Sequence, residues 1–388
     1  MWNMPEGETV ADKYYSPLQS LNLLYISSKK KWGGVSSWME KTALGLKKRG
    51  HRVLIVAHPN GRFMKSANKE LNLLPHKLGM DYNPLSILYL FYQIKSYKID
   101  IVVTNIEKEV AIGGIAARLA RIPNVRRVGN ETDFNQRWKV KLHHRLFVNR
   151  CIVPCNLIRD NAVKRAPWLD PDQFVTIYNG RNNRIFSDEQ IKFQRQEWGV
   201  NSNSYVIGST SRLSSGKGIE GLIRVFSRIT QQYPNTYLVI TGEGQLKKDL
   251  ADQARNLGVR DKVVFAGFSS DPLQTAAAYD IAVCNSFFEG FPNTVVEYFA
   301  AGRPVVTTNA GGVSEMARHE YNALLIPCNG NDEKLFSNLL RLIESPHLRS
   351  RLGENAAKTI ANGFSEEVML DQLERFYSSC VNKYIDLT

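Results

Sequence analysis

The sequence is poor in the features that would set it apart from ordinary globular chains. It has five cysteines in 388 residues, Cys151, Cys155, Cys284, Cys328 and Cys380, and none makes a CxxC pair. An odd, scattered set inside apolar runs argues against a disulfide framework or a thiolate metal site. It points instead to a reduced, cytoplasmic protein with structural thiols. No stretch approaches the roughly 20 apolar residues needed to span a bilayer. Residues 1–20 carry Glu6, Glu8, Asp12 and Lys13 with no apolar core, so a signal peptide is not expected there. Long low-complexity segments and solenoid periods are missing too.

What is present fits two domains. The length exceeds one compact core, and a hydrophobic content of 43% lets each half bury its own. Charge is unevenly spread. Residues 1–180 hold 28 Lys and Arg against 14 Asp and Glu, whereas residues 181–388 hold 22 against 23. An acidic partner for the first half follows, either nucleic acid bound nonspecifically or an anionic lipid or phosphorylated acceptor.

Short apolar runs alternate with amphipathic stretches, the pattern of parallel α/β layers. In the first half this predicts strands at Leu21–Ser27, His51–Ala57, Asp100–Asn105, Val125–Gly129, Cys151–Cys155 and Phe174–Tyr178. Helices are expected at Val35–Arg49, Pro84–Tyr97, Val110–Arg121 and Arg137–Arg150, the second of them a core helix. Arg181 to Ser204 shows no period. The rhythm then restarts with Tyr205–Ser211, Thr236–Thr241, Val263–Gly267, Ile281–Asn285, Pro304–Asn309 and Ala323–Pro327. Two doubly wound domains with a boundary near 180–200 follow, and ligands of such sheets bind beyond the strands' carboxyl ends.

Four post-strand segments are suited to a phosphorylated ligand. Ser28 to Val35 carries Gly33 and Gly34 at a helix start, where free N–H groups can hold phosphate oxygens. Gly208 to Gly218 carries Arg212 and Lys217 five residues apart, a fork and a point charge suited to a diphosphate, without Walker A spacing. Asn285 to Glu297 places Glu289 in a loop and Glu297 inside a helix that Pro292 opens, two carboxylates able to accept sugar hydroxyls. Asn309 to Glu315 repeats the glycine pair before a helix. Gly242-Glu243-Gly244 lacks a third glycine.

In this order, SRLSSGKG, GEG at 242–244, EGFPNTVVE at 289–297 and GGVSE at 311–315 make the second half resemble the retaining glycosyltransferases of family 4, also known as glycosyl transferases group 1. GGV at 33–35, RGHRVLIVA at 49–57 and YNG at 178–180 extend the resemblance over nearly the whole chain. It implies the GT-B fold, with two Rossmann-like doubly wound parallel-sheet domains facing across a cleft. Residues 1–180 would bind the acceptor, residues 181–365 the nucleotide sugar, and residues 366–388 would cross back as a helix.

The resemblance also implies roles. Arg212 and Lys217 would neutralise the leaving diphosphate, and Glu289, with backbone N–H groups near Phe291 and Asn293, would hold the donor sugar. Glu297 would bind the ribose, and Gly33 and Gly34 would approach the phosphate. Gly242, Glu243, Gly290, Pro292 and Thr294 complete the donor stretch. Family members often carry a histidine near residue 129, where this sequence offers Asn130 or Glu131. The activity implied is metal-independent transfer from a nucleotide sugar, UDP favoured, to a saccharide or lipid-linked saccharide in envelope polysaccharide, lipopolysaccharide or glycolipid synthesis. A nucleotide-sugar epimerase or an inactive binding protein is the alternative. No cofactor is expected.

Asp170-Pro171-Asp172 has DxD spacing but lies in a turn, so a metal role is not expected. His143-His144 falls in a basic amphipathic stretch that either packs on its own sheet or lies on anionic lipid at the inner face of the cytoplasmic membrane. His51 is expected to be structural.

Overall fold

The structure is a computed structural model and describes residues 19–31, 33–201 and 203–385. By contact, the chain divides into two compact units. The first comprises the described parts of Met1–Arg127, Leu142–Arg150 and Leu370–Thr388, the second Val128–Lys141 and Cys151–Met369. The sheets divide the chain differently, since strands end at Thr176 and resume at Tyr205 on either side of residue 180.

The first sheet has seven strands: β1 Asn22–Ser27, β2 Arg52–Ala57, β3 Asn72–Pro75, β4 Ile101–Thr104, β5 Asn124–Arg127, β6 Arg150–Val153 and β7 Phe174–Thr176. Their order is β3-β2-β1-β4-β5-β6-β7. β1 pairs in parallel with β2 from Asn22↔Arg52 to Ser27↔Ala57, and on its other edge with β4. Strand order therefore reverses between β1 and β4. The runs NLLYIS and RVLIVA are nearly continuous in apolar residues because helices cover both faces of a parallel sheet. Leu24, Ile26, Val56, Val102 and Ile112 meet in one core below Leu90 and Ile94.

The second sheet has six strands: β8 Tyr205–Thr210, β9 Thr236–Thr241, β10 Val263–Gly267, β11 Ile281–Cys284, β12 Val305–Thr308 and β13 Leu324–Ile326. The order is β10-β9-β8-β11-β12-β13, with the reversal between β8 and β11. The helix Ile219–Gln232 buries Leu222, Ile223, Phe226 and Ile229 against this sheet, four positions on one helical stripe. Two parallel Rossmann-like sheets of this kind constitute the GT-B fold.

Every expected strand is found within a residue or two at each end, and three features differ from expectation. β3 is additional: NLLP is too short and too exposed to stand out. A helix at Asp188–Glu197 fills the stretch read as aperiodic. Ser187 and Gln190 form its capping box, but Arg195 is its only buried residue, so no apolar stripe announces it. The helix Pro84–Ser96 is not a core helix. It buries Ser86, Leu90 and Ile94 while Leu85, Leu88 and Tyr92 face out at 75%, 61% and 67% exposure.

Within the first unit the last helix is anchored from Leu370 onward. The Leu370 side chain fills the space a Cβ at Gly45 would take. Arg49 bonds both Asp371 and Glu374, and Tyr25 and Tyr377 bring their buried hydroxyls to 3.2 Å. His51 accepts the Leu21 N–H on Nδ1, so its Nε2–H donates to Glu374 at 2.8 Å. His51 is thus structural.

A further tie in this unit is Glu109, 1% exposed in the first turn of the helix Glu107–Ala120. One carboxylate oxygen accepts from Ser28 N–H and Ser28 Oγ, both at 2.7 Å. The other accepts from the Asn105 N–H, the Asn105 amide and the Ile106 N–H. The loops after β1 and β4 are thereby joined across the reversal. Glu109→Ala strips the acceptor from these buried donors, and a loss of about 3 kcal/mol is expected from the cost of unmet buried groups. Urea unfolding of the purified variant measures it, and a loss below about 0.5 kcal/mol would contradict this role.

Candidate functional site

In the second unit the chemistry gathers where strand order reverses. The loop after β8 runs from Ser211 to Gly218, and the loop after β11 from Asn285 to Pro292. The two are stitched together by bonds to main-chain carbonyls. Phe287 N–H donates to Gly216 O, and the Asn285 amide donates to Gly218 O, each at 2.8 Å. Gly218 has φ +65° and a Cβ there would stand 2.0 Å from Asn285 O, so only glycine fits this contact.

That stitching brings Lys217 to Glu289. The Lys217 ammonium donates to Glu289 Oε1 at 2.5 Å, with the side chains 24% and 18% exposed. Arg212, five residues earlier, is exposed, and its side chain makes no hydrogen bond or ion pair among the described residues. Its loop is braced from the side by the Gly242–Gly244 turn: Leu213 N–H donates to Glu243 O, and Leu246 N–H to Leu213 O. Glu243 itself points to solvent. Gly242 N–H is tied back to Gly267 O.

Glu289 is held from its other side as well. Gly311, at φ +60°, lies so close that a Cβ would stand 2.0 Å from Glu289 O, and Gly312 N–H donates to Gly290 O at 2.7 Å. The turn containing these glycines ends at Glu315, whose carboxylate caps the helix Asn156–Arg165. It accepts from the N–H groups of Asn156 and Leu157 at 2.9 Å and from Tyr178 OH at 2.8 Å. Burial, then the bond to Glu315, pushes the Tyr178 hydroxyl well above its ordinary range. Helix dipole and carboxylate complement each other here, so Glu315 supports the Glu289 loop rather than facing a ligand.

Pro292 opens the helix Asn293–Ala300, with Phe291 buried against Tyr178 and Phe364. Glu297 lies in that helix among Val295, Val296, Tyr298 and Phe299 and is 9% exposed. An ionised carboxylate buried there needs a cation. Arg181 supplies it, with Nη2 to Glu297 Oε1 at 3.1 Å and the guanidinium itself buried. Beside this pair the Asn179 amide donates to Asn293 Oδ1 at 2.7 Å. Burial, then the charge of Glu289, pushes the Cys284 thiol up to about 11, so it is no nucleophile near neutral pH.

Gly290 abuts the turn after β5, since a Cβ on it would stand 3.3 Å from Gly129 O. In that turn Asn130 is exposed and uses Oδ1 to hold Thr132, while Asp133 accepts from the N–H groups of Gly129 and Asn130. The side chain of Glu131 lies outside what the structure describes. Thr294 is half-buried in the first turn after Pro292. Gly33 and Gly34 belong to the first unit, where Gly33 is extended and caps the helix Gly34–Lys48. Asp170 caps the turn Pro171–Gln173 through the Asp172 N–H. His143 and His144 are buried, and His143 bonds Glu107 and Tyr82, so that pair faces its own unit rather than a surface.

Two signals went unread in the sequence. Gly216 to Gly221 spells GxGxxG at the opening of a helix, the spacing that lets backbone approach a phosphate. Arg181 carried no local pattern, yet a carboxylate in an apolar helical stripe calls for such a partner.

Residues 32–183 match the family described as Glycosyltransferase Family 4, and residues 190–359 the one described as Glycosyl transferases group 1. The lipopolysaccharide core biosynthesis glycosyltransferase LpsD of Rhizobium meliloti is 33% identical over 170 residues, covering 44% of this chain and 48% of that one. The UDP-Gal:alpha-D-GlcNAc-diphosphoundecaprenol alpha-1,3-galactosyltransferase of Escherichia coli is 26% identical over 310 residues, 76% of this chain and 79% of that one. The match thus spans about half the length of the Rhizobium relative and more of the other. Anabaena Alr3699/HepE in complex with UDP superposes with a TM-score of 0.80 at 23% identity, over 92% of this chain and 100% of that one. A glycosyltransferase from Rickettsia africae ESF-5 gives 0.82 at 21% identity, over 94% and 99%. At such identities the two structures bear on the fold. Since the two family matches together take in twelve of the thirteen strands and every stretch of the site, the chain belongs to the group 1 glycosyltransferases of family 4.

Proposed function

We propose that this chain moves a sugar from a nucleoside diphosphate sugar to an acceptor hydroxyl, with retention at the anomeric carbon and without a metal. The observation that carries the reading is the Lys217–Glu289 pair across the β8–β11 reversal, with Arg212, its side chain unpaired, in the same loop as Lys217. As the donor's glycosidic bond breaks, negative charge grows on the diphosphate and positive charge on the sugar. Arg212 and Lys217 meet the first, and the Glu289 carboxylate accepts from the sugar's hydroxyls once Lys217 turns to phosphate. Glu297, fixed by Arg181 through one oxygen, offers the other to the ribose. The acceptor hydroxyl attacks from the face the diphosphate leaves, and the diphosphate takes its proton. No step needs an enzyme nucleophile.

UDP is the favoured carrier because the E. coli relative is named for a UDP-sugar donor and the Anabaena structures hold UDP and UDP-glucose. Two relatives named for lipopolysaccharide core and one for capsule biosynthesis favour an envelope saccharide as acceptor, free or lipid-linked. The basic first half and the outward face of Leu85, Leu88 and Tyr92 support work at the inner surface of the cytoplasmic membrane. No described helix is long and apolar enough to cross it.

Calorimetric titration with UDP, GDP and ADP should show selective binding of UDP, weakened by Glu297→Ala. Failure to bind any of the three sinks the donor site. With a competent acceptor in hand, Lys217→Ala should lower kcat by tenfold to a hundredfold, since one charge-assisted bond is worth roughly 1.5–3 kcal/mol. Turnover within about twofold of the parent would remove Lys217 from the chemistry.

A further inference from the structure

The first unit carries a cationic cluster that the donor chemistry does not use. Four neighbouring strands, in the order β3-β2-β1-β4, each deliver at least one basic side chain just past the carboxyl end. These are Lys77 after β3, His58 after β2, Lys30 after β1, and Lys108 in the first turn after β4. Their placement is fixed by the backbone. Ala57 pairs with Pro75, and His76 N–H donates to Ala57 O, which sets Lys77 beside His58. Arg62 N–H donates to Lys30 O, tying the loop after β2 to the loop after β1. Glu109 bonds Ser28 to Asn105 and Ile106, drawing Lys30 and Lys108 toward each other across the reversal.

The cluster is unneutralised. The side chains of Lys30, Lys77 and Lys108 make no hydrogen bond or ion pair among the described residues. The carboxylates of the β4 loop are already engaged: Glu107 with Arg126 and His143, Glu109 with the loop amides. At its centre His58 is 8% exposed. Its Nδ1 accepts the Asn60 N–H at 3.1 Å, which puts the proton on Nε2, and Nε2–H finds no acceptor among the described residues. Burial, then the fields of Lys30, Lys77 and Lys108, push this imidazole below its usual range. An imidazole whose Nε2–H meets no protein acceptor and reaches solvent, ringed by three unpaired ammonium groups, is open to an anion.

We propose that the carboxyl edge of β1 to β4 binds the phosphate group of a phosphorylated acceptor, with His58 Nε2 donating to a phosphate oxygen and Lys30, Lys77 and Lys108 compensating its charge. This rests on the reading of the chain as a transferase with its acceptor on this half. It adds that the acceptor is a phosphate or diphosphate ester, carried either by a free phosphosugar or by a lipid.

The test follows the His58 imidazole C2–H signal by NMR, assigned with His58→Gln, in full-length protein held in excess UDP so that the second unit's diphosphate site is filled. Inorganic pyrophosphate should shift that signal saturably. Lys30→Ala, Lys77→Ala and Lys108→Ala should each weaken the binding by about tenfold, in line with a lost charge-assisted bond. Lys48→Ala, at the far end of its helix, should leave it unchanged. Tighter binding of glucose 1-phosphate than of phosphate would support a phosphosugar, and tighter binding of farnesyl diphosphate than of pyrophosphate would support a lipid carrier. No shift of the His58 signal overturns the proposal, and so does binding that sulfate matches and the three lysine variants leave intact. If calorimetry shows no UDP binding while His58 still responds, the transferase reading fails and the anion site stands.

Discussion

Both sheets depend on a carboxylate bonded across the place where strand order reverses. A parallel sheet that winds outward in both directions leaves a crevice there, because the two neighbouring strands send their loops apart. In the first unit Glu109 closes that gap by accepting from both loops. In the second, Glu289 closes it by accepting from Lys217. The difference between the two is what separates scaffold from site. Glu109 is 1% exposed and surrounded by loop donors, so it has nothing left to give a ligand. Glu289 and Lys217 keep about a fifth of their surface in solvent, and the loop that carries Lys217 also carries the exposed Arg212.

The loops around Glu289 are rigid for a reason that lies in close backbone packing. Gly218 and Gly311 press against Asn285 and Glu289 at distances no side chain could share. Glu315, by capping a helix some 160 residues earlier in the chain, fixes the turn that carries Gly311 and Gly312. The arrangement pre-orients two opposite charges that would otherwise lose side-chain freedom on meeting a donor. Such preorganisation is how an active site stabilises charge that appears only during reaction.

How much of this could be read from the sequence varies by residue. The strands were legible because parallel β-sheets demand unbroken apolar runs, and the glycine-rich stretches at 208–218, 242–244, 289–297 and 311–315 marked the loops. β3 and the helix Asp188–Glu197 were not, since one is a short exposed edge and the other buries only Arg195. Apolar content misled at Pro84–Ser96, where two of the three leucines face out, while of the two readings open for His143-His144 their burial bears out packing within the unit. Arg181 was invisible because its meaning comes from Glu297, 116 residues away. The His58 cluster was hidden for the same reason: four separate loops supply it, and only strand order makes them neighbours.

Hydrogen–deuterium exchange of the full-length protein with and without UDP tests the central claim most directly. Exchange should slow at 211–218 and 285–297, the two stretches that flank the β8–β11 reversal, with the loop at 28–31 unchanged. Protection confined to other segments, with those two loops unaffected by saturating UDP, would contradict it.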